Sequence, residues 1–177
     1  MRRQFRTALE WVLVIVGALL FALVVQTFLF QAFVIPSASM EPTLVNRDRV
    51  VVNKLSYNSG PVSRGDVVVF DRPPGAEMQG IDDLIKRVVA VGGETVWASD
   101  GRVIVDGSPL IEPYLPDSSR TEDFDPVEVP SGHVFVMGDN RRPAMSLDSR
   151  FFGPIDEDLI LGRAFVRVWP PNRIGWL

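Results

Sequence analysis

The chain offers a narrow set of reactive side chains. It has no cysteine and one histidine, His133. Disulfides, thiol catalysis, thiolate metal sites and multi-histidine metal sites are therefore excluded. Hydrolytic chemistry would rest mainly on Ser, Thr, Asp, Glu or Lys. Lysine is scarce, because Lys54 and Lys86 stand against sixteen arginines. A buried lysine can lose its proton and an arginine cannot. Lys86 lies between Ile85 and the run Val88-Val89-Ala90-Val91. An amine on so apolar a strand is desolvated, which lowers its pKa. Free lysine titrates near ~10.4, and a pKa lowered by about 2 to 3 makes it a usable base. The plainer reading is a strand lysine whose ammonium snorkels to water.

Hydroxyls suited to attack occur in Ile35-Pro36-Ser37-Ala38-Ser39-Met40-Glu41-Pro42-Thr43. Two prolines make this segment stiff and non-helical, a fit platform for a nucleophile, although a linker would read the same way. A third segment runs from Met137-Gly138-Asp139-Asn140-Arg141 to Ser146-Leu147-Asp148-Ser149-Arg150. Its mixed charges suit a salt-bridged structural loop as well as a catalytic one. Acids are plentiful enough for a Ser-His-Asp triad with His133. A histidine opening a strand is, however, more often exposed or capping.

The elements that must position these residues are mostly strands. Asp48–Leu55, Asp66–Phe70, Ile85–Val91, Thr95–Ala98, Arg102–Val105, His133–Met137 and Leu161–Trp169 are rich in Val, Ile and Phe. Turn residues separate them, and Ser99-Asp100-Gly101 marks a hairpin. No helical period persists after residue 40. The expected body is mainly β, a compact barrel or sandwich. Residues 71–80 and 106–132 read as irregular. Within the latter, Glu112 to Glu128 holds six acids and one arginine, the composition of a solvated acidic loop.

The 177 residues suffice for one domain and at most a small second one. Charge is unevenly spread. Residues 1–35 carry Arg2, Arg3, Arg6 and Glu10, whereas residues 36–177 carry 15 basic and 21 acidic side chains. A body that acidic argues against nucleic-acid binding. Trp11 to Met40 contains no charge, and Trp11–Phe30 is almost wholly apolar on every helical face. A helix of that length spans roughly 30 Å, the thickness of a bilayer's hydrocarbon core. The expectation is a retained transmembrane anchor over residues 11–35, with residues 1–10 cytoplasmic and residues 36–177 outside. A cleaved signal peptide is the alternative, but the apolar run is longer than the usual 7–15 residues.

In their order along the chain, these segments resemble bacterial type I signal peptidase, the membrane-bound leader peptidase with a Ser-Lys dyad. The resemblance runs from the basic start and the span through Pro36 to Leu44 and Arg64-Gly65-Asp66-Val67-Val68-Val69-Phe70. It continues through Lys86-Arg87-Val88-Val89-Ala90, Gly138 to Arg141 and Ser146 to Arg150, and ends at Val168-Trp169-Pro170-Pro171-Asn172-Arg173. It implies that Ser39 is the nucleophile and Lys86 the general base. Ser37, with the Ser39 amide, would form the oxyanion hole, and Ser146 would orient the lysine. Arg87, Asp139, Asp148 and Arg150 would form a supporting ionic network. Between Arg141 and Ser146 stand four residues, Arg142 to Met145, where the family usually has two.

The implied fold is a β-rich catalytic core with a minimal inserted subdomain near residues 93–130. The implied activity is endoproteolytic removal of signal peptides from preproteins at the bacterial cell membrane, after small residues of the Ala-x-Ala type. No metal or organic cofactor is required. Preproteins and membrane lipid are the implied partners, with a secretion translocon as a candidate. Met40 and the Val/Ile strands are candidates for the substrate pockets. Penicillin-binding proteins and β-lactamases place Lys three residues after Ser, whereas Ser39 and Lys86 are 47 apart. A self-cleaving repressor of related fold would lack the anchor and carry a DNA-binding domain. The non-enzymatic alternative is a membrane-anchored extracytoplasmic β-domain that binds a partner without catalysis. Such a binder has no need of a desolvated lysine.

Overall fold

A computed structural model describes residues 2–24, 29–58, 60–74, 76 and 82–177. Helix α1 (Arg2–Val24) precedes strands β1 (Phe30–Val34), β2 (Arg49–Asn53), β3 (Val67–Asp71) and β4 (Asp83–Val91). Next come β5 (Thr95–Ser99), β6 (Arg102–Val105), β7 (Ser108–Pro109), β8 (Phe124–Glu128) and β9 (His133–Met137). The chain closes with α2 (Ser149–Phe152), β10 (Ile155–Asp156), β11 (Ile160–Trp169) and β12 (Gly175–Trp176). Every strand expected above is present.

Eight strands form one antiparallel sheet in the order β1-β2-β11-β3-β4-β9-β10, with β12 paired to β11. A smaller sheet has the order β7-β6-β5-β8. Strands β3 and β4 lie in the middle of the large sheet and are buried on both faces. That is why their sequences are nearly continuous apolar runs instead of alternating ones. On β3, Val67 and Val69 join a cluster with Ile35, Met40, Leu44 and Val50. The intervening Val68 and Phe70 join another with Val88, Val134 and Val136. This is the two-residue period of a strand. A third cluster joins the two sheets through Val89, Ala90, Val96, Val103, Phe135 and Met137.

Strand β9 pairs with β4 from Arg87 onward, opposite Met137, but not with Asp83 to Lys86. The first half of β4 is therefore paired on one side by β3 and, among the described residues, has no strand on the other.

Two expectations need correction. The supposed irregular stretch 106–132 contains β7 and β8, because Phe124 stacks on Phe135 at 5.6 Å and Val127 packs on the same cluster. The acids between these apolar residues hide the alternation. The anchor expected over 11–35 is not one continuous helix. Helix α1 is described as far as Val24, and Phe30–Val34 pairs with β2 in full register. Phe33 and Ile35 pack on the core, which takes this end of the apolar run into the sheet. Among the described residues no helix is long and apolar enough to cross a membrane. Residues 25–28 of the expected span lie outside the described residues.

Phe135 is fully buried where the sheets meet. Phe135→Ala should destabilise the fold by about 3–5 kcal/mol. Urea denaturation monitored by far-UV circular dichroism measures this, and a loss below about 1 kcal/mol would show that the two sheets do not depend on this contact.

Candidate functional site

Ser39 lies in an excursion of the chain between β1 and β2. Its base is closed by Ile35 N donating to Asp48 O at 2.9 Å and Arg47 N donating to Ile35 O at 2.9 Å. Met40 and Leu44, one helical turn apart, are fully buried and fasten the loop to the core. Leu44 N donates to Met40 O at 2.9 Å across that turn. Met40 is thus a core anchor, and does not line the cleft beside Ser39 as the sequence had suggested. The loop's far side is held by Arg167, whose Nη1 donates to Thr43 O at 2.5 Å.

Lys86 enters from β4. Its Nζ bonds Ser39 Oγ at 2.8 Å and donates to Ile85 O at 3.0 Å. Lys86 is 3% exposed and Ser39 6%. Burial pushes the Lys86 amine down to about 8, the Asp148 and Asp139 carboxylates partly opposing this and Arg150 adding to it. Ser37 is close by, its Oγ donating to Ser39 Oγ at 3.3 Å. A cleft of about 240 Å³ opens beside these groups, lined also by Leu84, Ile85, Ala144 and Met145. Two residues of the enlarged loop therefore form part of its wall.

The turn after β9 clamps the serine segment. Asn140 N donates to Ser39 O at 3.0 Å, and Asn140 Nδ2 donates to Ala38 O at 2.9 Å. Asp139 accepts two bonds from Arg87, from Nε at 2.9 Å and Nη2 at 2.7 Å, and a third from Thr43 Oγ1 at 2.5 Å. Such a bidentate buried pair fixes direction as well as distance. Arg87 also donates from Nη1 to Gly65 O at 2.8 Å. Gly138 allows the close approach, since a Cβ there would collide with Ser39 O and Ser146 Oγ.

Asp148 supports the turn from below. Its carboxylate accepts from Gly138 N at 3.0 Å and pairs with Arg150 through Nε and Nη2, both at 2.8 Å. Burial alone would raise this carboxyl, but Arg150 and the Gly138 amide outweigh it and hold it below the usual carboxylate range. Ser146 is buried against Gly138, and its hydroxyl sits by the Asp148 carboxylate, which it helps hold low, with no bond to Lys86. The expected bond from Ser146 to the lysine is therefore not formed here. His133 is on the outer part of β9, where Nδ1 lies 3.3 Å from Ser131 O.

Five supporting residues escaped the sequence reading. Arg141 is buried and pairs with Glu112 at 2.5 Å, with Thr121 Oγ1 accepting a further bond at 3.0 Å. Tyr114 covers the Arg87 guanidinium at 3.9 Å, and its hydroxyl donates to Glu112 at 2.8 Å. The segment read as a solvated acidic loop thus packs one acid and one ring onto the site. Only Tyr114, an aromatic among acids, hinted at this. Asn140 sat inside a noted motif, but no sequence signal marks its two bonds to the serine loop.

The buried amine also has a pH signature. Between about 8 and ~10.4 the unfolded chain holds the lysine proton and the folded chain does not. Stability contributed by this group therefore rises with pH across that window. Below it, burial of the ammonium costs about 3 kcal/mol. Lys86→Met removes the titration, so the variant should gain on the parent at pH 7 and lose that gain by pH 10.5. Parallel urea titrations at the two pH values check this, and an unchanged difference would contradict the buried state of the amine.

The family described as signal peptidase, peptidase S26, matches residues 8–169. Signal peptidase I of Leptolyngbya laminosa is 43% identical over 159 residues, covering 88% of this chain and 77% of that one. Signal peptidase I T of Bacillus subtilis is 37% identical over 183 residues, covering 98% and 91%. A crystal structure of a signal peptidase I from Enterococcus faecalis is 29% identical, with a TM-score of 0.48, over 59% of this chain and 97% of that one. The buried lysine on a serine hydroxyl thus occurs within a chain that belongs to the signal peptidase family, peptidase S26, and is a serine peptidase.

Proposed function

We propose that this protein is a membrane-bound signal peptidase I that removes N-terminal signal peptides from preproteins through a Ser39–Lys86 dyad. The observation that carries the reading is the 2.8 Å contact between the buried Lys86 Nζ and Ser39 Oγ. With the amine neutral, the same contact runs in reverse and the Ser39 hydroxyl donates to Nζ. Ser39 Oγ attacks the peptide carbonyl carbon while Nζ takes its proton. The resulting ammonium returns that proton to the leaving amine as the peptide bond breaks. Water then attacks the acyl ester, again giving a proton to Nζ, and Ser39 leaves with its hydroxyl restored.

The Ser37 hydroxyl and the Ser39 amide are the proposed oxyanion donors. One preorganised donor of this kind is worth ~3–4 kcal/mol in other hydrolases. Arg87, Asp139, Asp148 and Arg150 position the dyad and do not react. Ser146, buried beside the turn, is the proposed partner for the Lys86 Nζ once Ser39 is acylated. An extended signal-peptide segment is proposed to lie along the open edge of β4, gaining main-chain bonds as an added strand. The cleft's modest volume and its Leu84, Ile85 and Met145 walls favour small side chains before the cut, of the Ala-x-Ala type.

Anchoring is proposed to come from the apolar run that begins at Trp11 in α1 and continues beyond it in the sequence. Its large apolar side chains from Trp11 to Leu23 are all exposed, with Trp11 at 64% and Phe21 at 71%, so nothing among the described residues covers them. Arg2, Arg3 and Arg6 would keep that end cytoplasmic and the catalytic domain outside. Preproteins and membrane lipid are then the partners, with the secretion translocon as a candidate. This reading needs no metal or organic cofactor.

Ser39→Ala and Lys86→Ala should each reduce cleavage of a preprotein by about a thousandfold or more, with the fold retained. Amino-terminal sequencing of the product identifies the cut. The kcat/KM profile should rise with pH through an apparent pKa near 8, because the neutral amine is the active form. His133→Ala should keep most activity. A profile flat from pH 6 to 10, or full activity of the Lys86 variant, would end the dyad reading.

A further inference from the structure

A second and larger groove, of about 610 Å³, lies on the other flank of the Ser39 segment. Glu41, Pro42, Asn140, Arg142, Pro143 and Arg120 contribute to its walls. The two hollows share a ridge. Ser39 lines the first and Glu41 the second, while Ala144 and Met145 line the first and Arg142 and Pro143 the second. A chain cut at Ser39 and seated on one side in the small cleft continues on the other toward this groove. Resting on the peptidase reading, we propose that this groove receives the first residues of the mature protein and favours acidic side chains there.

The charge of the walls supports that occupant. Asp139 is consumed by Arg87 and Arg141 by Glu112. The charged side chains left to the groove are Arg120, Arg142 and, opposing them, Glu41. In a body with 15 basic and 21 acidic residues, a groove with a basic excess is a local exception. Arg120 is also held in place. Its Nη1 donates to Asp117 O at 3.0 Å and Ser119 O at 2.8 Å, and its stem lies over Gly101, where any Cβ would collide with it. A guanidinium fixed before binding loses less freedom when an anion arrives. Arg142 stands exposed at the start of a turn closed by Met145 N on Arg142 O at 3.2 Å.

The test compares two preproteins identical except at the second and third mature positions, Asp-Asp in one and Lys-Lys in the other. The full-length enzyme should cleave the acidic substrate with kcat/KM about 3- to 10-fold higher at low salt. That ratio should fall towards one at high ionic strength. The Arg120→Glu/Arg142→Glu double variant should invert the preference, and Arg120→Gln/Arg142→Gln should abolish it. Both should still cleave a substrate with neutral residues at those positions, and the preference is read as the ratio between the two charged substrates for each enzyme. Equal kcat/KM for the two substrates, or a preference unchanged in the charge-reversed enzyme, would overturn the proposal while leaving the peptidase reading intact. Failure to cut any of the substrates would instead overturn the peptidase reading, and this proposal with it.

Discussion

An ammonium held away from water against an alcohol is the constraint that organises this molecule. Leaving Lys86 protonated in its buried site costs about 3 kcal/mol relative to water. That cost is a sizeable share of the 5–15 kcal/mol by which domains are usually stable. The fold supplies it from β3 and β4, whose side chains are buried on both faces. Without such a doubly covered strand the lysine would reach solvent and regain its ordinary basicity. Nearby carboxylates oppose the effect, and each of them is tied to an arginine, Asp139 to Arg87 and Asp148 to Arg150. Neutralising those acids limits how far they favour the charged amine.

The alcohol is held by a different device. Ser39 is on an irregular segment, which by itself would wander. Three sets of contacts remove that freedom: the buried Met40 and Leu44 beneath it, Arg167 on Thr43, and the two Asn140 bonds to the carbonyls of Ala38 and Ser39. Gly138 is what lets the Asn140 turn come close enough. The small sheet joins the same construction. Glu112 receives Arg141, and Tyr114 covers Arg87, so the β5–β8 unit braces the turn that braces the serine.

How much of this the chain declared in advance follows from the range of each interaction. The strands were legible because Val and Ile runs between turn residues are a local signal. Lys86 was noticeable through its apolar neighbours, and Ser39 through its flanking prolines. Both gained weight only from the order of several segments together. Strand β8 was not legible, because Phe124 and Val127 stand among acids and their burial depends on Phe135 in another part of the chain. Nor were the bonds of Asn140 or Glu112, whose partners are 102 and 29 residues away. The apolar run from Trp11 misled at its far end, since lipid and a sheet core both accept Phe33 and Ile35. Hydrophobicity alone does not say which of the two takes them.

The Asn140 clamp has a temporal meaning. Ser39 and its lysine are made early in synthesis, but the turn that steadies the serine is about a hundred positions further on, and Arg167 comes later still. A chain emerging from the ribosome carries the proposed dyad long before it owns the parts that align it. On the proposed mechanism, the alignment of Ser39 therefore waits until the segment carrying Arg167 has been made.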